Sequence, residues 1–194
     1  MFDFAQPVLQ VAPLLLGAVI RCGDVAIRLT EVEAYAGTGD PAAHAVGGPR
    51  ASTQALFGEP GTLYCYLSYG IHICANFVCE RSGLGSAVLL RAGEVVAGLE
   101  LARQRRARDD DASDHTLARG PGCLGQAMGW TLADSGLLAG KGFTVSPRVD
   151  EPPISAGPRV GVSVAHQRPW RFWITGDPTV SAYRKSPRAI AGFW

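Results

Sequence analysis

Lysine is nearly absent from this chain: of its 18 basic residues, only Lys141 and Lys185 are lysines. An enzyme that forms a Schiff base needs an amine nucleophile, and neither lysine is well placed to supply one. Lys141 follows a turn at Gly140, and Lys185 lies in a stretch, 182–194, that reads as a mobile carboxy-terminal tail. Long hydrophobic runs are missing too. The apolar stretch 11–20 is broken by Pro13 and Gly17, and Met1-Phe2-Asp3-Phe4 carries no basic charge. A bilayer span needs roughly 20 apolar residues, and a secretory signal needs a basic start. We therefore expect a cytoplasmic protein with no membrane partner. The formal charge, +1, gives no overall pull toward nucleic acid either.

Metal-ligand spacing is also wanting. There are five cysteines, an odd number, and no C-x-x-C pair. His72 and Cys74 alternate on one strand face and Cys79 follows, but no four ligands come together. We read the cysteines as packed, reduced thiols and expect neither metal nor organic cofactor.

At 194 residues the chain has material for one domain with a real core, which we place at 1–181. Residues 6–16 read as a helix ended by Gly17. A strand at 18–21, a Gly23-Asp24 turn and a strand at 25–35 follow. Residues 36–59 are rich in Gly, Pro and Ala without a period, and a loop of that length is usually functional or mobile. Strands at 62–67 and 71–78 flank a tight turn, Ser68-Tyr69-Gly70. A strand at 86–91, a helix at 94–107, an acidic loop at 109–114, a helix at 121–128, and strands at 143–145, 159–164 and 170–174 complete the pattern. The sum is an α+β fold on a largely antiparallel sheet.

Three features stand out from that background. In the strand at 25–35, Glu31, Glu33 and Tyr35 share one face. Strict alternation puts Val25, Ile27 and Leu29 on that same face, so two carboxylates stand where core residues belong. Buried carboxylates are costly unless they are paired or used for acid–base chemistry. Second, Tyr64, Tyr66 and Ser68 share a face of the hairpin, and Tyr69 sits at its tip beside a glycine. Core packing accounts for Tyr64 and Tyr66 equally well, but an aromatic at an exposed tip resembles a DNA-penetrating wedge. Third, basic residues crowd 148–188 (Arg148, Arg159, Arg168, Arg171, Arg184, Lys185, Arg188) against Asp150, Glu151 and Asp177. A phosphate-facing stripe or a scattered solvated surface explains them alike. By contrast, Gly120-Pro121-Gly122-Cys123-Leu124-Gly125 matches a dinucleotide fingerprint only formally, because no apolar strand of a βαβ unit precedes it. What survives is a helix start with free N–H groups, suited to simple capping or to an anion.

Taken in order, several segments resemble the alkyladenine (3-methyladenine, or methylpurine) DNA glycosylase family. They are Glu31-Val32-Glu33-Ala34-Tyr35, Ala43-His44, Pro60-Gly61-Thr62-Leu63-Tyr64-Cys65-Tyr66, Tyr69-Gly70, Asn76, Val88-Leu89-Leu90-Arg91-Ala92, Gly120-Pro121-Gly122, Arg159-Val160-Gly161-Val162 and Pro169-Trp170-Arg171-Phe172-Trp173. The resemblance runs to about Ser181 and is specific because so many spaced motifs keep their order. It implies a single domain with a curved sheet, surrounding helices and a hairpin that inserts into DNA. It also implies a monomeric, monofunctional hydrolase of base-excision repair, bacterial in type and associated with the nucleoid, acting on double-stranded DNA that contains damaged purines. Position by position, Glu33 matches the carboxylate that activates water. Arg91 matches the arginine that helps hold that water and the carboxylate, and His44 the residue that contacts water and base. Tyr35 and Tyr66 match the walls around the flipped base, Tyr69 the residue filling the gap it leaves, and Asn76 the group that obstructs the amino group of guanine. Two departures are visible. Cys123 stands where relatives often place lysine, and Leu56-Phe57 replaces Met-Phe. We expect a compact, bacterial-type enzyme without the lysine-rich amino-terminal extension of some relatives. A non-catalytic lesion-binding module is the rival reading. It would need the aromatic residues but not Glu33 or Arg91.

Overall fold

Strand β2 (Val25–Ala36) is the axis of the architecture, because the sheet is built outward from it on both sides. The computed structural model describes residues 2–107 and 113–189. On one side β2 pairs with β5 (Ser86–Ala97), which leads to β4 (His72–Cys79) and β3 (Leu63–Ser68). On the other it pairs with β1 (Val19–Cys22) and, at its far half, with β9 (Arg171–Ile174). The strands β6 (Ala118–Arg119), β7 (Thr144–Ser146) and β8 (Ile154–Gly157) join β5, β1 and β9. All nine pair antiparallel in one open sheet. With α1 (Val8–Leu14), α2 (Leu99–Arg106) and α3 (Pro121–Met128) this is the expected α+β fold.

The sheet has two different faces. The main core unites Val11 and Leu15 near α1, Leu124 and Met128 of α3, and the strand residues Leu63, Phe77, Val88 and Leu90. A smaller apolar cluster joins Ala43, Ala45 and Leu56 of the segment 37–57 to Tyr64, Val78 and Ala87 of the sheet. That segment contains two short 3-10 helices, Gly37–Gly39 and Ala51–Phe57.

Between the two halves of β2 the alternation breaks. Leu29 pairs with Gly93 and Glu31 with Ala92, which leaves Thr30 as an extra residue; Val32 then pairs with Leu90, which leaves Arg91 extra on β5. A bulge shifts the phase of a strand by one residue. Core positions in β2 are accordingly Val25, Ile27 and Leu29 before the bulge, but Val32 and Ala34 after it. This corrects the reading from strict alternation. Glu31, Glu33 and Tyr35 do not continue the face of Val25, Ile27 and Leu29; the bulge turns them to the opposite side of the sheet. Because β5 carries its own bulge, both strands change phase together and the ladder survives.

Other boundaries differ from expectation for physical reasons. The expected helix at 94–107 begins only at Leu99, since 94–97 extend β5 and pair with 26–28 of β2. The β-branched Val95 and Val96 favour the ladder. Gly98 ends it at φ +71, where a Cβ would lie 2.5 Å from the Asp24 carbonyl oxygen. Residues 159–164 are not a strand: the Val160 N–H is committed to a side-chain carboxylate and Gly161 takes φ +72. Strand β8, directly after Pro152-Pro153, has no counterpart in the sequence reading. The acidic loop expected at 109–114 and the tail expected at 182–194 fall partly outside the described residues.

Helix α3 lies flush on the hairpin. A Cβ on Gly125 would sit 2.2 Å from the Ile73 carbonyl oxygen, and one on Gly122 would sit 2.8 Å from the His72 Cβ. We predict that Gly125→Ala destabilises the fold by about 1–3 kcal/mol, the usual range for overpacking, visible as a lowered thermal midpoint. Gly39→Ala, where nothing lies within 4 Å of the added carbon, should melt like the parent. Equal midpoints for the two variants would refute the close packing of α3 on β4.

Candidate active site

The bulge-inverted face of the sheet floors a cleft of about 500 Å³. One cross-strand row runs from Tyr64 to Asn76, Leu89, Glu33 and Arg171 by successive pairings of β3, β4, β5, β2 and β9. Side chains in such a row share a face. Above this floor stand residues of 41–44 and 160–164, with Pro121 at the start of α3 and Tyr69 at the hairpin tip.

Aromatic groups make the walls. The His44 ring meets Tyr66 edge-on at 4.4 Å between centroids, and its Nδ1 is 3.1 Å from the Tyr64 hydroxyl. Tyr64 and Tyr66 stack at 5.8 Å. Burial pushes the Tyr64 hydroxyl up to about 12 and the Tyr66 hydroxyl higher still. Desolvation holds His44 below its usual value, so its imidazole is neutral at pH 7 and presents one donor and one acceptor. Asn76 is fixed by donating from Nδ2 to the Tyr64 carbonyl oxygen at 3.0 Å. The Tyr35 ring has a guanidinium, that of Arg159, 4.5 Å from its centroid. Arg159 is fully buried, donates to the Ala34 carbonyl oxygen at 3.0 Å and forms a two-pronged pair with Asp40. That pair locks Tyr35 from behind.

The two carboxylates occupy different environments. Glu31 Oε1 accepts from Arg91 Nε at 2.8 Å, Arg171 Nε at 2.7 Å and the Ser181 hydroxyl at 3.0 Å, while Oε2 accepts from the Ser181 N–H at 2.7 Å. Its acceptor capacity is spent inside the protein. Burial alone raises the Glu31 pKa, but Arg91, Arg171 and the Ser181 bonds outweigh it and hold the carboxyl below its usual value. Glu33 Oε2 accepts from the Tyr35 hydroxyl at 2.8 Å; Oε1 accepts from the Val160 N–H at 2.7 Å and lies 3.3 Å from Arg91 Nη1. A carboxylate offers about four acceptor sites, so Glu33 keeps room for one more donor. Burial and then the neighbouring Glu33 charge raise the Tyr35 pKa well above its usual value, so this phenol stays a donor at neutral pH. Arg91 is pulled down by burial but raised more by Glu33 and Glu31; it is a permanent cation.

A family model described as methylpurine-DNA glycosylase matches residues 2–178. The chain belongs to the methylpurine-DNA glycosylase family. It is therefore a DNA glycosylase, a hydrolase of N-glycosyl bonds that serves DNA repair, and its substrate is DNA. Similar bacterial proteins provisionally named 3-methyladenine DNA glycosylase agree. One from Cutibacterium acnes is 47% identical over 95% of this chain and 100% of its own length. One from Leifsonia xyli is 49% identical over 95% of this chain and 92% of its own, and one from Corynebacterium jeikeium 48% identical over 94% and 91%.

In this glycosylase Tyr35, His44, Tyr66, Tyr69, Asn76 and Arg91 all line the one cleft. Glu33 is different. It is fully buried and lies behind the lining, touching the cleft through Tyr35, Arg91 and Val160. Tyr69 is 91% exposed with φ +51 at the hairpin turn. The supposed basic stripe dissolves in part: Arg159 and Arg171 are buried ion-pair partners, and Arg148 bonds Pro13 and Glu151. Sequence reasoning missed Asp40, Ser181, the cleft position of Tyr64 and the double role of 159–160. Asp40 and Ser181 carry no local signal. Arg159-Val160 stood inside a recognised motif without an assigned part. Among the described residues no helix is long and apolar enough to cross a membrane, and no three His, Cys, Asp or Glu are grouped to hold a metal ion.

The Glu31 pairing makes a pH prediction. A carboxyl held below 4.5 in the folded state adds stability that is present above the unfolded value and lost as pH falls through the folded one. Glu31→Gln removes the carboxylate partner of buried Arg171 and one of the two that face buried Arg91, which we expect to cost about 3–5 kcal/mol at neutral pH. It should also flatten the acid limb of the urea midpoint below pH 4.5. An acid limb as steep as the parent's would contradict the pairing.

Proposed function

We propose that this glycosylase extrudes alkylated or deaminated purines of the 3-methyladenine, 7-methylguanine, hypoxanthine and ethenoadenine class from duplex DNA. The base enters the cleft beside Tyr35, Tyr66 and His44, and a water activated by Glu33 hydrolyses its bond to the sugar. The observation that carries the reading is the placement of Glu33: buried, bonded to Tyr35, Val160 and Arg91, with one acceptor site to spare beside an aromatic cleft.

The chemistry follows from the bond to be broken. Cleaving an N-glycosidic bond develops positive charge on the sugar. The bonding pair leaves with the purine nitrogen, the water oxygen attacks C1′, and its proton passes to Glu33, so the products are free base and an abasic site. Glu33 stabilises the sugar cation as well as taking the proton. Arg91 fixes the carboxylate by holding Oε1, and Glu31 in turn holds Arg91. A target atom inside a stacked duplex is unreachable, so extrusion costs a few kcal/mol, least for damaged or mispaired bases. Tyr69 fills the gap. Cationic alkylated purines gain ~0.5–2 kcal/mol on tyrosine faces. Asn76, rigid in the floor, meets the exocyclic amino group of guanine and so disfavours the undamaged base.

A lesion-binding module without catalysis has no use for the Glu33–Arg91 contact. A hydrolase of free nucleosides has no use for an exposed Tyr69. Among the described residues no lysine lines the cleft, which supports water as the attacking group and a monofunctional enzyme acting as a monomer.

Single-turnover excision from a hypoxanthine-containing duplex, run with borohydride present, tests this reading. We expect released base, an unbroken strand and no protein–DNA adduct. Binding without release would favour the lesion-binding module, and a trapped adduct would overturn the water mechanism. For the hairpin, Tyr69→Ala should weaken lesion binding and slow excision while leaving the thermal midpoint within a few degrees, since the side chain is 91% exposed. A large fall in midpoint would make Tyr69 a packing residue instead.

A further inference from the structure

The arginines of 148–188 divide sharply once their partners are known. Arg148, Arg159, Arg168 and Arg171 all have acidic partners within the fold. Arg184, Lys185 and Arg188 are exposed, and none has an ion pair among the described residues. Three cations within five residues repel one another.

Their position is set by the backbone. The strap 177–181 is fastened across β2: Asp177 pairs with Arg28, the Thr179 hydroxyl meets Thr30 at 2.7 Å, and Ser181 bonds Glu31. From Ser181 the chain turns toward the cleft, where the Gly161 N–H donates to the Arg184 carbonyl oxygen at 3.0 Å. Ser186, Pro187 and Arg188 then share a second concavity with Tyr69, Gly161 and Ser163. The segment thus reaches the hairpin tip, at the rim of the cleft where 160–164 form its wall. Tyr183, 44% exposed, precedes the three cations.

We propose that residues 183–188 are a backbone clamp for duplex DNA, in which Arg184, Lys185 and Arg188 neutralise phosphates flanking the extruded nucleotide. This deepens the glycosylase reading and rests on it for the location of the extruded nucleotide. Duplex DNA offers one negative charge per ~1.7 Å of axis, so cations spread along this segment beside Tyr69 meet several phosphates at once. The clamp positions the duplex and carries no base selectivity.

Salt titration of DNA binding tests the proposal, using the full chain and both hypoxanthine-containing and undamaged duplexes. Removing one phosphate-binding cation should reduce the slope of log K against log salt by about 0.9. We expect Arg188→Ala to lower the slope by about that amount, and Arg184→Ala/Lys185→Ala/Arg188→Ala by about 2.7 when all three neutralise phosphates. The weakening should be equal on the two duplexes, as recognition of the sugar–phosphate backbone requires. The backbone bond from Gly161 to Arg184 survives these substitutions, so the segment keeps its seat. Arg21→Ala, an exposed cation on β1 at the other end of the strand order, controls for total charge and should leave the slope unchanged. A triple-variant slope within about 0.5 of the parent's overturns the clamp, as does a weakening confined to the lesion duplex. Failure of the parent to excise hypoxanthine would instead count against the deaminated purine in the proposed lesion class, whatever the slopes show.

Discussion

The paired bulge at Thr30 and Arg91 is the constraint on which the site depends. A straight strand that buries Val25, Ile27 and Leu29 would bury Glu31 and Glu33 among the same aliphatic side chains, at a cost no carboxylate could sustain. One extra residue on β2 inverts the second half of the strand, and one extra residue on β5 keeps the partner in phase. Val32 and Ala34 then fill the core, while Tyr35 lines the cleft and Glu31 and Glu33 lie buried on its side of the sheet. The residue displaced on β5 is Arg91 itself. The same irregularity that turns the carboxylates over also delivers their counter-ion, with Nε on Glu31 and Nη1 facing Glu33.

The neighbouring carboxylates can then divide their work. Glu31 is saturated by two guanidiniums and both polar groups of Ser181, so it has nothing left to offer a substrate. It neutralises Arg91 and ties the strap 177–181 to the sheet. Glu33 has fewer ties and sits nearer the cleft. A second buried pair, Asp40 with Arg159, plays the parallel part behind Tyr35. Buried pairs of this kind add little net stability over an apolar packing; here they give fixed orientation to the groups that face the cleft.

Much of this is legible in the sequence, and the failures have identifiable causes. Helix α3 falls at 121–128 as expected because Pro121 starts it and Gly129, at φ +74, stops it. The hairpin is legible from the alternation of Tyr64 and Tyr66 with Leu63 and Cys65. The segment with Glu31, Glu33 and Tyr35 is visibly unusual, yet strict alternation misreads its facing, because it assumes one phase along the whole strand while the apolar positions change from Val25, Ile27 and Leu29 to Val32 and Ala34. Residues 94–97 read as helix because the arginines from Arg103 onward mark a helix end while nothing nearby fixes its start; only pairing with 26–28 decides for strand. The partners Asp40 and Ser181 lie far from Arg159 and Glu31 in the chain, and nothing local announces them. The basic stripe fails as a unit because a charge count does not distinguish a buried counter-ion from a free cation.

The central claim is that Glu33, and not its saturated neighbour, activates the water. Gln keeps the shape of the side chain but cannot take up the proton. Single-turnover excision of hypoxanthine by Glu33→Gln should therefore fall by about 10²–10⁴-fold, the usual contribution of general base catalysis, while affinity for the lesion duplex stays near that of the parent. A rate within about tenfold of the parent would contradict the account and return Glu31 as the candidate.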